Sequence, residues 1–181
     1  MADQKLVEAY RRGIDHSAKA LSPDSFSSDH TIFHSKWALL TAGNSTSYNT
    51  MTISWGGLGT LWNMNLAATV YVRPNRYTYG FMEKNDLFTV SFYPDSCREA
   101  LLVLGTESGR DMDKVALSGL KPVPVTTDDG EAMTFREAEV TLLCRKRYWQ
   151  DLDVTHIIGK DPYADGSPVH RMYIGEVLQV L

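Results

Sequence analysis

The chain has 181 residues, 43% of them hydrophobic and 22% charged, enough for one compact domain with its own core and no covalent staples. Its formal net charge of −4 gives no electrostatic reason to bind nucleic acid or an acidic membrane surface, and no apolar run approaches the length of a transmembrane helix. The opening MADQKLVEAYRRG lacks the apolar block of a signal peptide, and two cysteines, Cys97 and Cys144, are too few for a secreted disulfide framework, so a reducing, cytoplasmic setting is expected.

From Lys5 to Leu21, apolar residues Leu6, Val7, Tyr10, Ile14, Ala18 and Leu21 recur at helical spacing, predicting an amphipathic helix within an N-terminal extension of residues 1–32. Pro23 and the Ser/Asp cluster around it end that helix. Residues 33–181 then read as the barrel of a single domain. KWALLTAG is a buried strand, GNSTS a tight turn, and YNTMTISWGG (48–57) the second strand of an antiparallel hairpin. Along that second strand Thr50, Thr52 and Ser54 share one parity, so it carries a column of hydroxyls opposite Asn49, Met51, Ile53 and Trp55.

LGTLWNMN reads as a loop whose Leu61 and Trp62 need burial, under the domain or against a partner chain. LAATVYVRP is a strand, and RYTYGFMEKN a short helix capped by Thr78. LFTVSFY sets Leu87, Thr89, Ser91 and Tyr93 opposite Phe88, Val90 and Phe92. DSCREALLVLG has helix chemistry from an Asp95 or Ser96 cap to Gly105, and SGRDMDKVALSGL a loop leading into a short helix. Pro122 and Pro124 mark an edge strand and TTDDG an Asp-Gly turn. REAEVTLLCRKRYW buries Ala138, Val140, Leu142 and Cys144 on one face, its Arg145-Lys146-Arg147 forming a solvated end, and HRMYIGEVLQVL closes the chain as a strand. Six or seven strands with short connections and two or three short helices make a mainly β chain, favouring a closed or partly closed antiparallel barrel over a parallel sheet.

Three segments carry candidate chemistry. The hydroxyl column is either a solvated threonine face or a row of short donors aimed at a phosphate or a polar ring, with Gly56 and Gly57 letting a flat ligand approach the backbone. Arg73, Arg76, Tyr77 and Thr78 lie within six residues, where planar guanidinium forks and a helix start suit phosphate oxygens; ordinary surface arginines with a capping threonine are the alternative. Ser108, Gly109 and Arg110 form either a backbone concavity for an anion or a plain connecting loop. His30 and His34 have metal-compatible spacing without acidic or cysteine partners, so no metal is expected. Cys97 near a helix start reads as an inert thiol before a redox one.

The stretches NTMTISWGGLG, VYVRPNRYTY, LFTVSF, LGTESGRDMDK, EAEVTLLCRK and HRMYIGEV, in this order, resemble the flavin reductase-like family, in its flavoredoxin branch, over residues 33–181. The resemblance implies an FMN-binding split β-barrel of Greek-key antiparallel strands, working as a homodimer with the flavin near the subunit interface and Leu61 and Trp62 at the seam. It implies that Asn49, Thr50, Met51, Thr52, Ile53, Ser54, Trp55 and Gly56 cradle the flavin, that Arg73, Arg76, Tyr77 and Thr78 hold its tail, and that Ser108 and Arg110 add to the site. His170 matches a histidine common before the last strand of this branch. The implied activity passes electrons from NAD(P)H through FMN to free flavin or a protein acceptor; no catalytic residue is assigned, because the cofactor performs the chemistry. A non-enzymatic electron carrier and a cofactor-free binding barrel are the rival readings, the last predicting hydroxyls and arginines scattered over the surface.

Overall fold

The computed structural model describes residues 22–23, 26–63 and 66–181; the helix expected over Lys5 to Leu21 lies outside them. Among the described residues are nine strands: β1 (Ala38–Asn44), β2 (Ser47–Ile53), β3 (Gly56–Gly59), β4 (Ala67–Val72), β5 (Leu87–Phe92), β6 (Pro122–Thr127), β7 (Gly130–Phe135), β8 (Val140–Asp151) and β9 (Arg171–Val180). Four α-helices join them: α1 (Ile32–Ser35), α2 (Tyr77–Lys84), α3 (Arg98–Thr106) and α4 (Lys114–Ser118).

Seven strands form one antiparallel sheet in the order β2-β1-β5-β8-β9-β4-β3, and β6-β7 form a separate hairpin. The two edge strands, β2 and β3, are consecutive in the chain and joined by Ser54 and Trp55 alone. Laid flat, seven strands would hold their edges about 29 Å apart, whereas so short a link spans at most about 11 Å. The sheet therefore has to curl until its edges approach at that corner, which makes it a split barrel. Two register shifts in β8, at Leu143/Cys144 and Lys146/Tyr148, supply bending where the longest strand crosses the curl.

The barrel interior is filled by Leu40, Ala42, Ile53, Val70, Phe88, Val90, Phe92, Leu142 and Tyr173, the inward residues of six strands. The alternation in β5 is as read, yet both faces are buried, because the β6-β7 hairpin covers the outer one. Thr89 Oγ1 donates to the Met133 carbonyl at 2.6 Å, and Ser91, Thr134 and Thr141 close a triangle of hydroxyl contacts of 3.0, 2.9 and 2.7 Å. Buried hydroxyls of this kind are tolerated because they satisfy one another. A second apolar cluster, around Leu39, Tyr93, Leu101, Leu104 and Phe135, lies beneath α3.

Four differences from the sequence reading have local causes. Gly56–Gly59 is a strand of its own, where Gly56 and Gly57 were expected to end the preceding strand and Leu58 to open a loop, since pairing with β4 supplies order that a glycine-rich run lacks by itself. GEAMTF forms β7, paired to β6 across the predicted Asp-Gly turn. Thr78 lies within the first turn of α2, the cap position being Arg76, which makes no side-chain cap bond. HTIFH includes one helical turn, with His30 and His34 both exposed.

The basic run in β8 is tied down rather than free. Arg145 pairs with Asp129, Lys146 Nζ donates to the Met82 and Glu83 carbonyls at 2.6 and 3.2 Å, and Arg147 lies 3.5 Å from Glu176. Lys146 thus serves the C-terminal end of α2, where a cation is favoured.

Candidate functional site

Helix α2 is fixed from both ends. Arg171, at the start of β9, donates to both Asp151 oxygens at 2.6 and 2.8 Å and to Glu83 at 2.9 Å, and the Tyr173 hydroxyl donates to Glu83 at 2.6 Å. At the other end Asn49 Nδ2 donates to Thr78 Oγ1 at 2.7 Å, with both residues buried. These bonds place the N-terminus of α2, with Arg76 and Tyr77, against the middle of β2.

The loop after α3 enters the same corner. A Cβ on Gly109 would lie 2.3 Å from Asn49 Oδ1 and 3.1 Å from the Tyr77 ring, so this position admits the loop only as glycine. Arg110 donates to the Asn75 carbonyl at 3.0 Å, its guanidinium 5.1 Å from the Tyr77 ring centre. Ser108 Oγ accepts from the Arg110 amide at 3.2 Å. Asn49, residues 75–78 and the loop 108–110, far apart in sequence, therefore meet in one place.

His170 completes the other side. Its ring lies 4.7 Å from that of Trp55, and Tyr163 Oη is 2.8 Å from its Nδ1. Burial lowers the His170 pKa to about 4, and the positive charges of Arg73 and Arg76 add to the effect, so the imidazole is neutral at pH 7. Arg76 is exposed and forms no ion pair among the described residues.

The hydroxyl column does not point into this corner. Thr50 is wholly buried, accepting from Thr41 Oγ1 at 2.8 Å and donating to the Leu40 carbonyl at 3.3 Å, while Thr52 Oγ1 donates to the Leu101 carbonyl of α3 at 2.5 Å. Both hydroxyls fasten strand to strand and strand to helix, which corrects the expectation that they face a ligand. Met51 and Ile53 pack in or against the barrel core. Gly56 is glycine because the Phe33 ring would lie 2.6 Å from any Cβ, whereas a Cβ on Gly57 would meet nothing within 4 Å. Of the strand, then, Asn49 lies at the corner, Ser54 is exposed, Trp55 lies against His170, and the open backbone is that of Gly57. The cofactor-free reading expected hydroxyls and arginines scattered over the surface; Thr50 is instead buried, and Arg76 and Arg110 line one cleft.

Two residues escaped the sequence reading. Lys114 is buried, donating to the Leu104 and Glu107 carbonyls at 2.8 and 3.1 Å, and so fastens the loop that carries Gly109 to the end of α3. Burial lowers its amine to about 8, with Arg76 adding to the shift and Glu107 opposing it. Nothing in DMDK announces a buried lysine. Tyr163 did leave a trace, as the lone aromatic in the polar run DPYADGSP. Cys97 is half-buried, and burial raises its thiol, the opposite of what a reactive thiolate needs.

Chemically, the corner offers two guanidinium groups without a carboxylate partner among the described residues, a loop that passes through Gly109, an exposed tryptophan and a neutral histidine. No group of three or more metal-ligating side chains occurs among the described residues, and no helix there is long and apolar enough to cross a membrane.

The Flavin reductase like domain profile matches residues 30–181. Among solved structures, an FMN-binding domain of a flavin reductases-like enzyme from Shewanella baltica superposes with a TM-score of 0.64 at 15% identity, over 90% of this chain and 75% of that one. A flavoredoxin from Methanosarcina acetivorans gives 0.64 at 18% identity over 91% and 75% of the two chains. Nitrilotriacetate monooxygenase component B from Bacillus cereus gives 0.61 at 14% identity over 91% and 81%. At these identities the likeness is one of fold. No curated protein matches the chain in sequence.

Proposed function

The chain belongs to the flavin reductase-like family, and from that premise we propose that it is an FMN-binding oxidoreductase that takes electrons from NAD(P)H. The observation that carries this reading is the convergence of Asn49, Tyr77 and Gly109 beside Arg76 and Arg110, two guanidinium groups with no carboxylate partner among the described residues. The donor set fits a phosphomonoester: planar forks take phosphate oxygens in pairs.

From Asn49 to Ser54 the strand runs about 17 Å; Asn49 at the first end holds the start of α2, and Trp55 past the second lies against His170, on which Arg73 and Arg76 also act. Arg76 and Arg110 would hold the phosphate. Trp55 and the β2–β3 link would flank the ring. FMN, when bound, supplies hydride acceptance and one- or two-electron release. The chain's own groups bind and orient; neutral His170, held by Tyr163, presents a ring nitrogen without adding positive charge.

The flavin reading is tested by titrating the purified protein with FMN and following its visible absorption, then assaying NADH and NADPH oxidation. Arg76→Ala is expected to weaken FMN binding by about ten- to a hundredfold, the contribution of a charge-assisted phosphate contact of about 1.5–3 kcal/mol; unchanged affinity rejects that role. The flavoredoxin likeness favours a second reading, an electron carrier, for which a bound flavin is reduced by a protein donor and not by either nicotinamide. We place the seam of a homodimer at Trp62, which is 59% exposed and packs edge-on to Tyr148 at 5.7 Å, with Leu61 beside it. Sedimentation of Trp62→Glu tests that surface, a monomer supporting it and an unchanged oligomer rejecting it.

A further inference from the structure

The polar connection between β8 and β9, residues 152–170, is folded so that one phenol reaches one imidazole. Its base is closed by the Leu152 amide, which donates to the His170 carbonyl at 3.0 Å. Within it, Asp161 Oδ1 accepts from the Tyr163 amide at 2.8 Å, Asp165 Oδ1 from the Ser167 amide at 2.9 Å, and the Gly166 amide donates to the Tyr163 carbonyl at 2.9 Å. Turns of this kind fix the path of a loop without an apolar core. They leave Tyr163 only 6% exposed, its ring centre 5.8 Å from that of His170 and its Oη 2.8 Å from Nδ1. The Trp55 ring, itself exposed, lies 4.7 Å from the same imidazole.

The place of the imidazole proton follows from the donors and acceptors at hand. A neutral histidine has one N–H and one bare nitrogen, and the hydrogen bond made by one ring nitrogen sets the state of the other. If Nδ1 donated to Tyr163, the phenol proton would need a different acceptor, and Nδ1 is the hydroxyl's one partner among the described residues. With Tyr163 donating, the buried hydroxyl is satisfied, Nδ1 is the acceptor and the ring proton sits on Nε2. Nε2 itself has no hydrogen-bond partner among the described residues. Burial, with Arg73 and Arg76 adding to it, keeps the ring uncharged at pH 7. We propose that Tyr163 is a positioning residue: it holds the His170 proton on Nε2, so that the ring offers one neutral N–H donor, beside Trp55, to an accepting atom of the bound molecule. The tautomer is a property of the protein alone. The identity of the acceptor, a carbonyl or bare ring nitrogen at the edge of a flavin, rests on the flavin reading.

Nitrogen NMR of the flavin-free protein at pH 7 tests the tautomer. Long-range proton–nitrogen correlations separate bare from protonated imidazole nitrogens, and the His170 pair is the one missing from His170→Gln. The expected spectrum has Nδ1 bare and Nε2 protonated; a proton on Nδ1 overturns the proposal. In Tyr163→Phe the Nδ1 signal should move to that of an unbonded nitrogen, with the Nδ1-protonated form becoming populated, and an unchanged His170 pair in a folded variant overturns it too. Should Tyr163→Phe not fold, the parent spectrum still decides. The donor role is read by adding FMN to the parent protein: the Nε2 proton is expected to move downfield and to exchange more slowly with solvent. An Nε2 signal that stays where it was with FMN bound overturns that role. The change should be smaller in Tyr163→Phe, where only part of the molecules carry the proton on Nε2, and a change as large as the parent's means that Tyr163 does not set it. If FMN does not bind at all, the flavin reading falls and the donor role with it, whereas the tautomer stands or falls by the flavin-free spectrum.

Discussion

Asn49 Nδ2 lies 2.7 Å from Thr78 Oγ1, a buried bond that joins two segments 29 residues apart. It couples the register of β2 to the position of α2, and through α2 to the placement of Arg76. Removing the acceptor while keeping the shape, as in Thr78→Val, leaves the Asn49 amide with only the Thr50 carbonyl at 3.2 Å. The expected cost is about 1–3 kcal/mol in urea denaturation, accompanied by weaker FMN binding. Thr78→Ser should restore both; a variant as stable and as tight-binding as the parent would mean the bond is incidental.

Gly109→Ala should be more damaging than its size suggests. The added methyl lies 2.3 Å from Asn49 Oδ1, and that side chain is held by its own bonds and cannot swing aside. Displacing the loop is expected to lower FMN affinity at least tenfold and stability by about 1–3 kcal/mol. Flavin fluorescence titration and a thermal melt give the two quantities separately.

Adjacent glycines should respond oppositely. Gly56→Ala drives a methyl to 2.6 Å from the Phe33 ring, which is itself packed edge-on to Phe92 at 5.4 Å, so about 1–3 kcal/mol of stability should be lost. Gly57→Ala meets nothing and should change stability by less than about 0.5 kcal/mol. If the flavin ring approaches the backbone here, Gly57→Ala alone weakens FMN binding without a shift in melting temperature.

His170 makes a pH prediction with a definite sign. Burial lowers its folded pKa to about 4 from the ordinary 6.5. Between those values the unfolded chain binds the proton and the folded chain does not, so stability falls as pH is lowered through that window and levels off below it. The contribution approaches about 1.4 kcal/mol per pH unit at its steepest. Melting curves of the parent and His170→Gln at pH 7 and pH 5 should differ in slope, the variant being less acid-sensitive; equal sensitivity would place the titration elsewhere.

Much of the barrel was legible because strand chemistry is periodic. LFTVSF alternates Thr89 and Ser91 with Phe88, Val90 and Phe92, and that alternation is what the sheet buries. β3 escaped, since its glycines carry no side-chain period and its order comes from Ala67–Val70 across the ladder. The segment near Arg76 stood out in the sequence by its arginines alone. Lys114 did not, because the carbonyls that hold it, at Leu104 and Glu107, become its neighbours only when the α3–α4 turn closes.

The hydroxyl column marks the boundary between the two kinds of knowledge. By itself the sequence determined that Thr50 and Thr52 share a face, since successive side chains in a strand point to opposite sides whatever surrounds them. What covers that face depends on Thr41 and Leu101, which reach it only through strand pairing and helix docking. The closing of the β2 and β3 edges at Ser54–Trp55, and the meeting of Asn49, Thr78 and Gly109, were likewise decided in three dimensions. Contacts between distant segments depend on how the whole sheet curls, and no local pattern encodes that curvature.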